Sequence, residues 1–296
     1  VQSEPQELAY VARPPENPSA ARDACPSPER LRIVAANLSS GTRQSYSSGE
    51  GGRILKALSP DVVLIQEFNV GKNSDEEYRA FVTRYFGEQY TYSRGTRPQQ
   101  SIPNGIISRF PIRESGSWRD SRTSQRDFAW ATVDIPGSVD LFAVSVHLLT
   151  ANPTERSMEG EQLASLVASR PASSAYVAIG GDFNTSNRTE PVLTHLSRVV
   201  HVAGPWPADQ AAKEGTNLAR KKPYDWVLTS AALSQKERPV EIGGVALPGG
   251  LVFDSRVFAP LTAVQRDSDP DAVRKTDSGA PAMQHMAVVR DFSVCP

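Results

Sequence analysis

The chain has 296 residues, 39% hydrophobic and 22% charged, with 32 Lys and Arg against 33 Asp and Glu and a net charge of −1. This is the composition of an ordinary globular protein of one large or two small domains, long enough to bury a core without a metal or disulfide to fold it. No basic excess advertises a nucleic-acid binder, although a nuclease need only grip phosphates locally, and no apolar run approaches the length of a membrane span.

Residues 1 to 30 are rich in Pro, Ala and charge and show no apolar period, so they read as an extended arm. The domain proper is expected over 31 to 296. An opening on Val1 rather than Met reads as a processed or trimmed product. The two cysteines, Cys25 and Cys295, stand near opposite ends of the chain. Domain termini often lie close together, so the pair could form a disulfide and imply a secreted or periplasmic location. Two unrelated thiols are the alternative, because spacing does not fix connectivity.

Strand patterns follow at 31–37, 61–67, 104–110, 128–134, 139–147, 175–182, 225–230 and 285–292, each rich in Val, Ile or Phe and bounded by turn residues. Pro136-Gly137 marks a hairpin. Helices are predicted at 49–58, at 74–87 with Ser74 as N-cap, Glu77 three residues on and Gly87 as terminator, and at 154–170. In the last of these Met158, Leu163, Leu166 and Val167 are expected to form one apolar face. Strands alternate with helices early and form hairpins in the middle, which predicts mixed sheets covered by helices. Residues 203–223 and 232–284 read as loop-rich.

The chemistry sits where the strands stop. Asn37, Glu67, His147 and Asp182 close four strand patterns, with Asn184 two residues beyond, while Asp225 and His285 open two more. One such residue is unremarkable, and Asp182 with Asn184 alone would read as turn formers. Together they describe one polar rim, provided the strands of Asp225 and His285 run opposite to the rest. The set suits phosphoester hydrolysis. Glu67, with Asn37 beside it, offers the oxygen ligands that Mg²⁺ or Mn²⁺ wants. Asp182 can deprotonate a water that Asn184 positions. Asp225 can orient His285, and His147 is a second imidazole to stabilise developing charge.

These motifs resemble the endonuclease/exonuclease/phosphatase (DNase I-like) superfamily over nearly all of residues 31 to 294. The segments "AAN" at Asn37, "LIQE" at Glu67, "NGIISRFPI" at 104–112, "SVH" at His147, "GGDFN" at Asp182 and Asn184, "YDWV" at Asp225 and "QHMAVV" at His285 come in the family's order. The resemblance implies an α/β (α+β) four-layered sandwich of two mixed sheets between helices, and a metal-dependent phosphodiesterase or phosphomonoesterase. It implies Glu67 as metal ligand, Asp182 and Asn184 as the water-handling pair, Asp225–His285 as a supported histidine and His147 as a phosphate contact. One departure is Met283-Gln284-His285, where many members carry Ser-Asp-His. The lost charge could be replaced from Asp277 or Asp254 in the preceding loop.

Three further residues are weaker candidates for substrate binding. Asn104 precedes a strand, where Asn-Gly is also a plain turn signal. Arg266 and Arg274, with Lys275 beside the latter, could hold a phosphate or simply be solvated. Lys221-Lys222 beside Asp225 raises the same question. His195 and His201 lack the further ligands a zinc site needs. Arg94, Arg97, Arg119, Arg122 and Arg126 suggest a basic rim for nucleic acid, so the expected partner is a phosphoester, with nuclease favoured and a monomer expected. A sphingomyelinase-like or small-molecule phosphatase is the alternative, the former helped by the apolar segments "GPWP" at 204–207 and "GGLVF" at 249–253. A binding module that has lost turnover is the rival from another class.

Overall fold

The computed structural model describes residues 27–40, 44–170, 176–265 and 268–295. Cys25 and Arg266, and with Cys25 the expected disulfide, lie outside the described residues, as does most of the expected arm. The first strand, β1 (Glu29–Ala36), takes in two residues that read as arm.

A first sheet begins with β1, β2 (Val62–Ile65), β3 (Thr91–Arg94) and β4 (Gly105–Ser108). The chain then builds a second sheet from five consecutive strands: β5 (Ile112–Trp118), β6 (Phe128–Val133), β7 (Leu141–His147), β8 (Tyr176–Asp182) and β9 (Asp225–Thr229). It returns with β10 (Glu237–Arg238), a small hairpin of β11 (Val240–Ile242) and β12 (Val245–Leu247), β13 (Leu251–Phe253) and β14 (Ala287–Val294). The first sheet is ordered β10-β14-β1-β2-β4-β3, with β13 also pairing β14, and the second β5-β6-β7-β8-β9. Each holds one parallel pair, β1 with β2 and β7 with β8, among antiparallel ones.

Each parallel pair needs a crossover, and a helix supplies it. Helix α1 (Glu50–Leu58) joins β1 to β2, and α3 (Pro153–Ala168) joins β7 to β8. Helix α2 (Asp75–Tyr85) follows β2 and carries the expected capping box, Ser74 accepting from the Glu77 amide while Glu77 reaches back to the Ser74 amide. Two short helices complete the set among the described residues, α4 (Pro191–Leu196) and α5 (Ala231–Ser234).

Three apolar layers make this a four-layered α/β sandwich. Ile54, Leu55, Phe81 and Val82 of α1 and α2 pack on Val34, Val63 and Val289 of the first sheet. Leu31, Ile33, Leu64, Leu141, Ala143, Ala178 and Val227 fill the space between the sheets. Phe142, Val144, Ile179 and Leu228 meet Leu163, Ala164 and Val167 of α3 and Val192 and Leu196 of α4. Met158, expected on the buried face of α3, is 45% exposed. The inner face at that end of the helix is taken by Arg156 and Glu159, both buried, which serve the loop after β7.

One ion pair crosses from β1 to β14 inside this frame. Arg32 donates from Nε and Nη2 to both oxygens of Asp291 at 2.8 and 2.7 Å, with both residues buried. Removing one member leaves an uncompensated buried charge. Arg32→Met is therefore expected to lower the unfolding free energy by roughly 3–5 kcal/mol, and Arg32→Met with Asp291→Leu to recover most of it, read from urea midpoints.

Candidate active site

The site lies where the apolar filling between the sheets runs out. Side chains alternate along a strand, so Leu31, Ile33 and Ala35 share a face of β1, and the next position on that face is Asn37. On β7 the series Leu141, Ala143 and Ser145 reaches His147, and on β8 Ala178 and Gly180 lead to Asp182. Register aligns His147 with Asp182, and Asp182 with Asp225 of antiparallel β9. His285 precedes β14, antiparallel to β1, which brings it to the same rim.

The two glycines before Asp182 are steric necessities. A Cβ on Gly180 would sit 2.6 Å from the Trp226 carbonyl oxygen and 2.7 Å from Leu64. Gly181 has φ +137°, and a Cβ there would lie 2.0 Å from the Val146 carbonyl oxygen. Two non-glycine site residues also take left-handed backbone, Glu67 at φ 51° and Asn184 at φ 53°. Such values are uncommon outside glycine and cluster at functional sites.

One atom gathers the site. Asp182 Oδ2 accepts from Asn37 Nδ2 at 3.0 Å and lies 3.3 Å from His147 Nε2 and 3.4 Å from His285 Nε2. Its other oxygen accepts from the Asn184 amide at 2.9 Å. Asn37 Nδ2 also reaches Glu67 Oε1 at 3.2 Å, and Ser39 Oγ donates to Glu67 Oε2 at 3.0 Å. His285 Nδ1 and Asp225 Oδ2 are 3.0 Å apart. Asn37, Glu67, His147, Asp182, Asn184, Asp225 and His285 are thus one constellation, and all are buried. Five of them, Glu67, His147, Asp182, Asn184 and His285, line a cleft of about 500 Å³ with Gln44, Ser101, Ile102, Gln125, Arg126, Leu149, Thr150 and Gln284.

Burial sets the electrostatics. It pushes the Asp182 carboxyl up to about 6, with Asp225 adding to the shift and His285 opposing it. Burial raises Glu67 as well, against hydrogen bonds from Asn37 and Ser39. For His285 burial disfavours the charge, but Asp182 and Asp225 outweigh it and hold the imidazolium up to about 10. His147 has no such surplus: burial, Arg126 and His285 together press it well below the usual imidazole range, so it is neutral. Asp182 rises although a cation faces it because it is fully buried beside a second carboxylate.

These donors fit a hard divalent cation. Three carboxylates face one imidazolium, a local excess of negative charge. Asn37 turns its Nδ2 to the carboxylates and leaves its Oδ1 buried without a partner among the described residues. Ligand-type atoms of Asp182, Asp225 and His285 also lie within 4.8 Å of one another. Two of those three are already hydrogen-bonded to each other, so Asn37 Oδ1 and Glu67 are the better-prepared oxygen pair.

The weaker candidates lie elsewhere. Asn104 is buried and donates to the Asp127 carbonyl at 2.7 Å, outside the cleft lining. Arg274 is exposed on the loop after β13, also outside the lining. Asp277 and Asp254 do not replace the charge absent at Gln284: Asp277 holds Arg53 through two hydrogen bonds, and Asp254 holds Arg220 and Arg256. Arg126 is no rim residue. It is 4% exposed, with Nε donating to the His147 carbonyl and Nη2 to the Leu148 carbonyl. His195 meets Ser157 at 3.0 Å, and His201 is exposed beside Thr229. Sequence reasoning missed Ser39, Tyr46 and Thr216. The buried Tyr46 hydroxyl donates to the Ala36 and Gln66 carbonyls and accepts from the Leu38 amide, fixing the segments that carry Asn37 and Glu67. Thr216 accepts from the Asp225 amide. A tyrosine in a Ser-rich loop carries no local signal of that task.

Two facing mixed sheets with carboxylates, amides and imidazoles on a shared rim are the architecture of DNase I-like phosphoester hydrolases. The chain belongs to the Endonuclease/Exonuclease/phosphatase family, whose sequence model matches residues 37–255. No curated protein sequence matches it. Among solved structures it is similar to D. rerio TDP2 complexed with single-strand DNA product, at 13% identity and a TM-score of 0.57, covering 90% of this chain and 99% of that one. It is likewise similar to an endonuclease/exonuclease/phosphatase from Beutenbergia cavernae (15% identity, TM-score 0.55, 90% and 72% coverage) and to SmcL (12%, 0.51, 90% and 99%). At these identities the likeness is one of fold.

Mg²⁺ or Mn²⁺ is expected to raise the melting temperature, with about 2.7 kcal/mol of stabilisation at a hundredfold excess over Kd. Glu67→Gln should remove that shift. An unchanged shift in Glu67→Gln would move the cation away from Glu67.

Proposed function

We propose that the protein is a Mg²⁺- or Mn²⁺-dependent phosphodiesterase acting on nucleic acid. Family membership supports a phosphoester hydrolase, and the observation that carries the reading further is the convergence of Asn37, His147 and His285 on Asp182 Oδ2 at the floor of an open cleft. Asn37 and Glu67 would hold the cation, which when bound neutralises the phosphoryl and leaving oxygens.

The chain's own groups supply the rest. Asp182 is a carboxylate of raised basicity, suited to take a proton from an attacking water. The Asn184 amide occupies Oδ1 and leaves Oδ2 to the cleft; the Asn184 side chain donates to the Leu148 carbonyl. His285, oriented by Asp225, is an imidazolium ready to donate to a phosphoryl oxygen. His147 completes the wall as a neutral imidazole.

The cations around the cleft favour a polyanion. Arg97 and Arg122 are paired with Asp127 and Glu155. Lys221, Lys222 and Lys275 are exposed outside the cleft lining and make no ion pair among the described residues. The loops that bear the lysines connect to the cleft wall. Leu218 donates to the Gln284 carbonyl, Arg256 donates to the Leu218 carbonyl, and Ser255 donates to the Lys275 carbonyl. Tyr224, half-buried, lies against His285 with the ring planes tilted by 44°, and Lys222 sits over its ring. Cations interleaved with an aromatic suit a nucleic-acid strand. The lipid alternative keeps little to dock with: Trp206 is half-buried against Trp226, and Leu251, Val252 and Phe253 are buried in β13. The D. rerio TDP2 likeness, solved with single-strand DNA product, points the same way. A non-catalytic module would have no use for a strained, fully assembled site.

The test is hydrolysis of plasmid DNA, RNA, sphingomyelin and bis-p-nitrophenyl phosphate with Mg²⁺, Mn²⁺ or EDTA, using wild type beside Asp182→Ala. Turnover of nucleic acid abolished by EDTA and by the substitution is expected. Preference for sphingomyelin would overturn the substrate, and turnover of nothing would leave a binding module. Lys221→Ala with Lys222→Ala should raise KM for nucleic acid, flatten its salt dependence by about 0.7–0.9 log units per lost phosphate contact, and leave the small diester untouched.

A further inference from the structure

Behind His147 lies a group of buried charges that the hydrolytic chemistry does not use. Glu159 of α3 is 0% exposed, and both its oxygens accept from the Leu149 amide, at 3.2 and 2.9 Å. Leu149 lines the cleft two residues after His147. The Asp120 carboxyl, 2% exposed on the loop after β5, lies within hydrogen-bond reach of the Glu159 carboxyl. Asp120 Oδ1 accepts from the Arg122 amide at 2.8 Å, while its Oδ2 is buried with no N–H donor among the described residues.

The surrounding charges are accounted for. From the loop before β6 come Arg126, which donates to the His147 and Leu148 carbonyls, and Asp127, which is paired with Arg97. From α3 comes Arg156, whose charge is met by Glu190 and whose Nη1 holds the Leu149 carbonyl. From the end of β7 comes His147, neutral. Arg126 is therefore the one uncommitted positive charge among these groups, set against two buried carboxyls. One negative charge can be balanced there and a second cannot.

We propose that Glu159 is a neutral carboxylic acid whose O–H donates to Asp120 Oδ2, and that this acid–carboxylate pair is a positioning element that sets Leu149, and with it His147, in the cleft wall. The O–H gives Asp120 Oδ2 its missing donor and leaves Glu159 free to accept from Leu149. The titration agrees: burial first, then Asp120, push Glu159 up to about 9. The segment 147–150 is then held on every side, by Arg126, Asn184, Arg156 and the acid pair. Only the activity readout of the following test rests on the hydrolytic reading of the cleft.

Glu159→Gln is the decisive variant, because an amide keeps a donor for Asp120 and an acceptor for Leu149 without a charge to lose. It should fold, keep kcat within about twofold of wild type, and lose the protonated-carboxyl C=O band from the infrared spectrum at about pH 8, where Asp182 is ionised and Glu159 is not. Glu159→Ala should lower kcat by on the order of 10- to 100-fold with KM little changed, since misplacement rather than binding is at stake. A raised folded pKa for an acid means stability present below the unfolded value and lost as pH rises through the folded one. The wild-type melting temperature should therefore carry a falling component from roughly pH 5 to pH 9 that Glu159→Gln lacks. Should Glu159→Ala fail to fold, the amide variant and the infrared band decide. A wild type without that band, a band that survives in Glu159→Gln, parallel melting profiles, or a folded Glu159→Gln as inactive as the alanine variant would each overturn the proposal. The band and the melting profile need no substrate, so an error in the proposed substrate leaves the test intact.

Discussion

A single buried carboxylate organises the molecule's functional end. Asp182 is taken out of water, where its charge is costly, and given two donors, an imidazolium and the edge of a neutral imidazole in exchange. Each of those neighbours comes from a different strand or strand end, so the carboxylate can be satisfied only when both sheets are assembled face to face. The fold is thereby coupled to the site. The Gly180-Gly181 approach that lets β8 sit against Leu64 and Gln66 is the same feature that brings Asp182 level with Asn37 and Glu67.

The sheets are also stitched together just behind the site. Gln66 of the first sheet donates to Ser145 of β7 at 2.8 Å, and Ser145 donates back to the Ile65 carbonyl at 2.9 Å. Polar contacts of this kind at the margin of an apolar interior fix register more than they add stability. They hold the rim at a set spacing while the remainder of the interior packs by shape alone. Tyr46 on one side and Arg126 on the other do the same for the loops, each binding main-chain carbonyls beside a site residue.

Much of this was legible in the sequence because a strand's period is two. In β1 and β8 the inward face runs apolar or glycine up to Asn37 or Asp182, and in β7 it runs apolar to Ser145 and then His147. That abrupt change of polarity on one face is visible without coordinates. The strands that escaped notice are those whose faces carry no such contrast: β3 is Thr-Tyr-Ser-Arg at a sheet edge, β5 is largely solvent-facing, and β10 to β13 are two or three residues each. Arg126 was misread for the opposite reason. An arginine is ordinarily a surface residue, and nothing local reveals that its guanidinium will meet two carbonyls of a distant strand end. Met158 was misplaced because the helical period marks a stripe but not which part of it the protein fills with charge.

Those misread charges show how the site's polarity is graded. At the cleft floor the carboxylates outnumber the cations, which suits a metal ion and an electrophilic phosphorus. One layer back, Arg126, Asp120 and Glu159 come closer to balance, and they touch the main chain rather than the reacting groups. On the outside, Lys221, Lys222 and Lys275 are exposed and make no ion pair among the described residues, and Leu218, on the loop that bears the first two, donates to the Gln284 carbonyl. Gln284 lies between these zones as a neutral amide. A carboxylate there would add negative charge to the floor and draw on the lysines outside. A neutral residue adds no negative charge for those cations to meet, and leaves the acid excess concentrated on Glu67, Asp182 and Asp225.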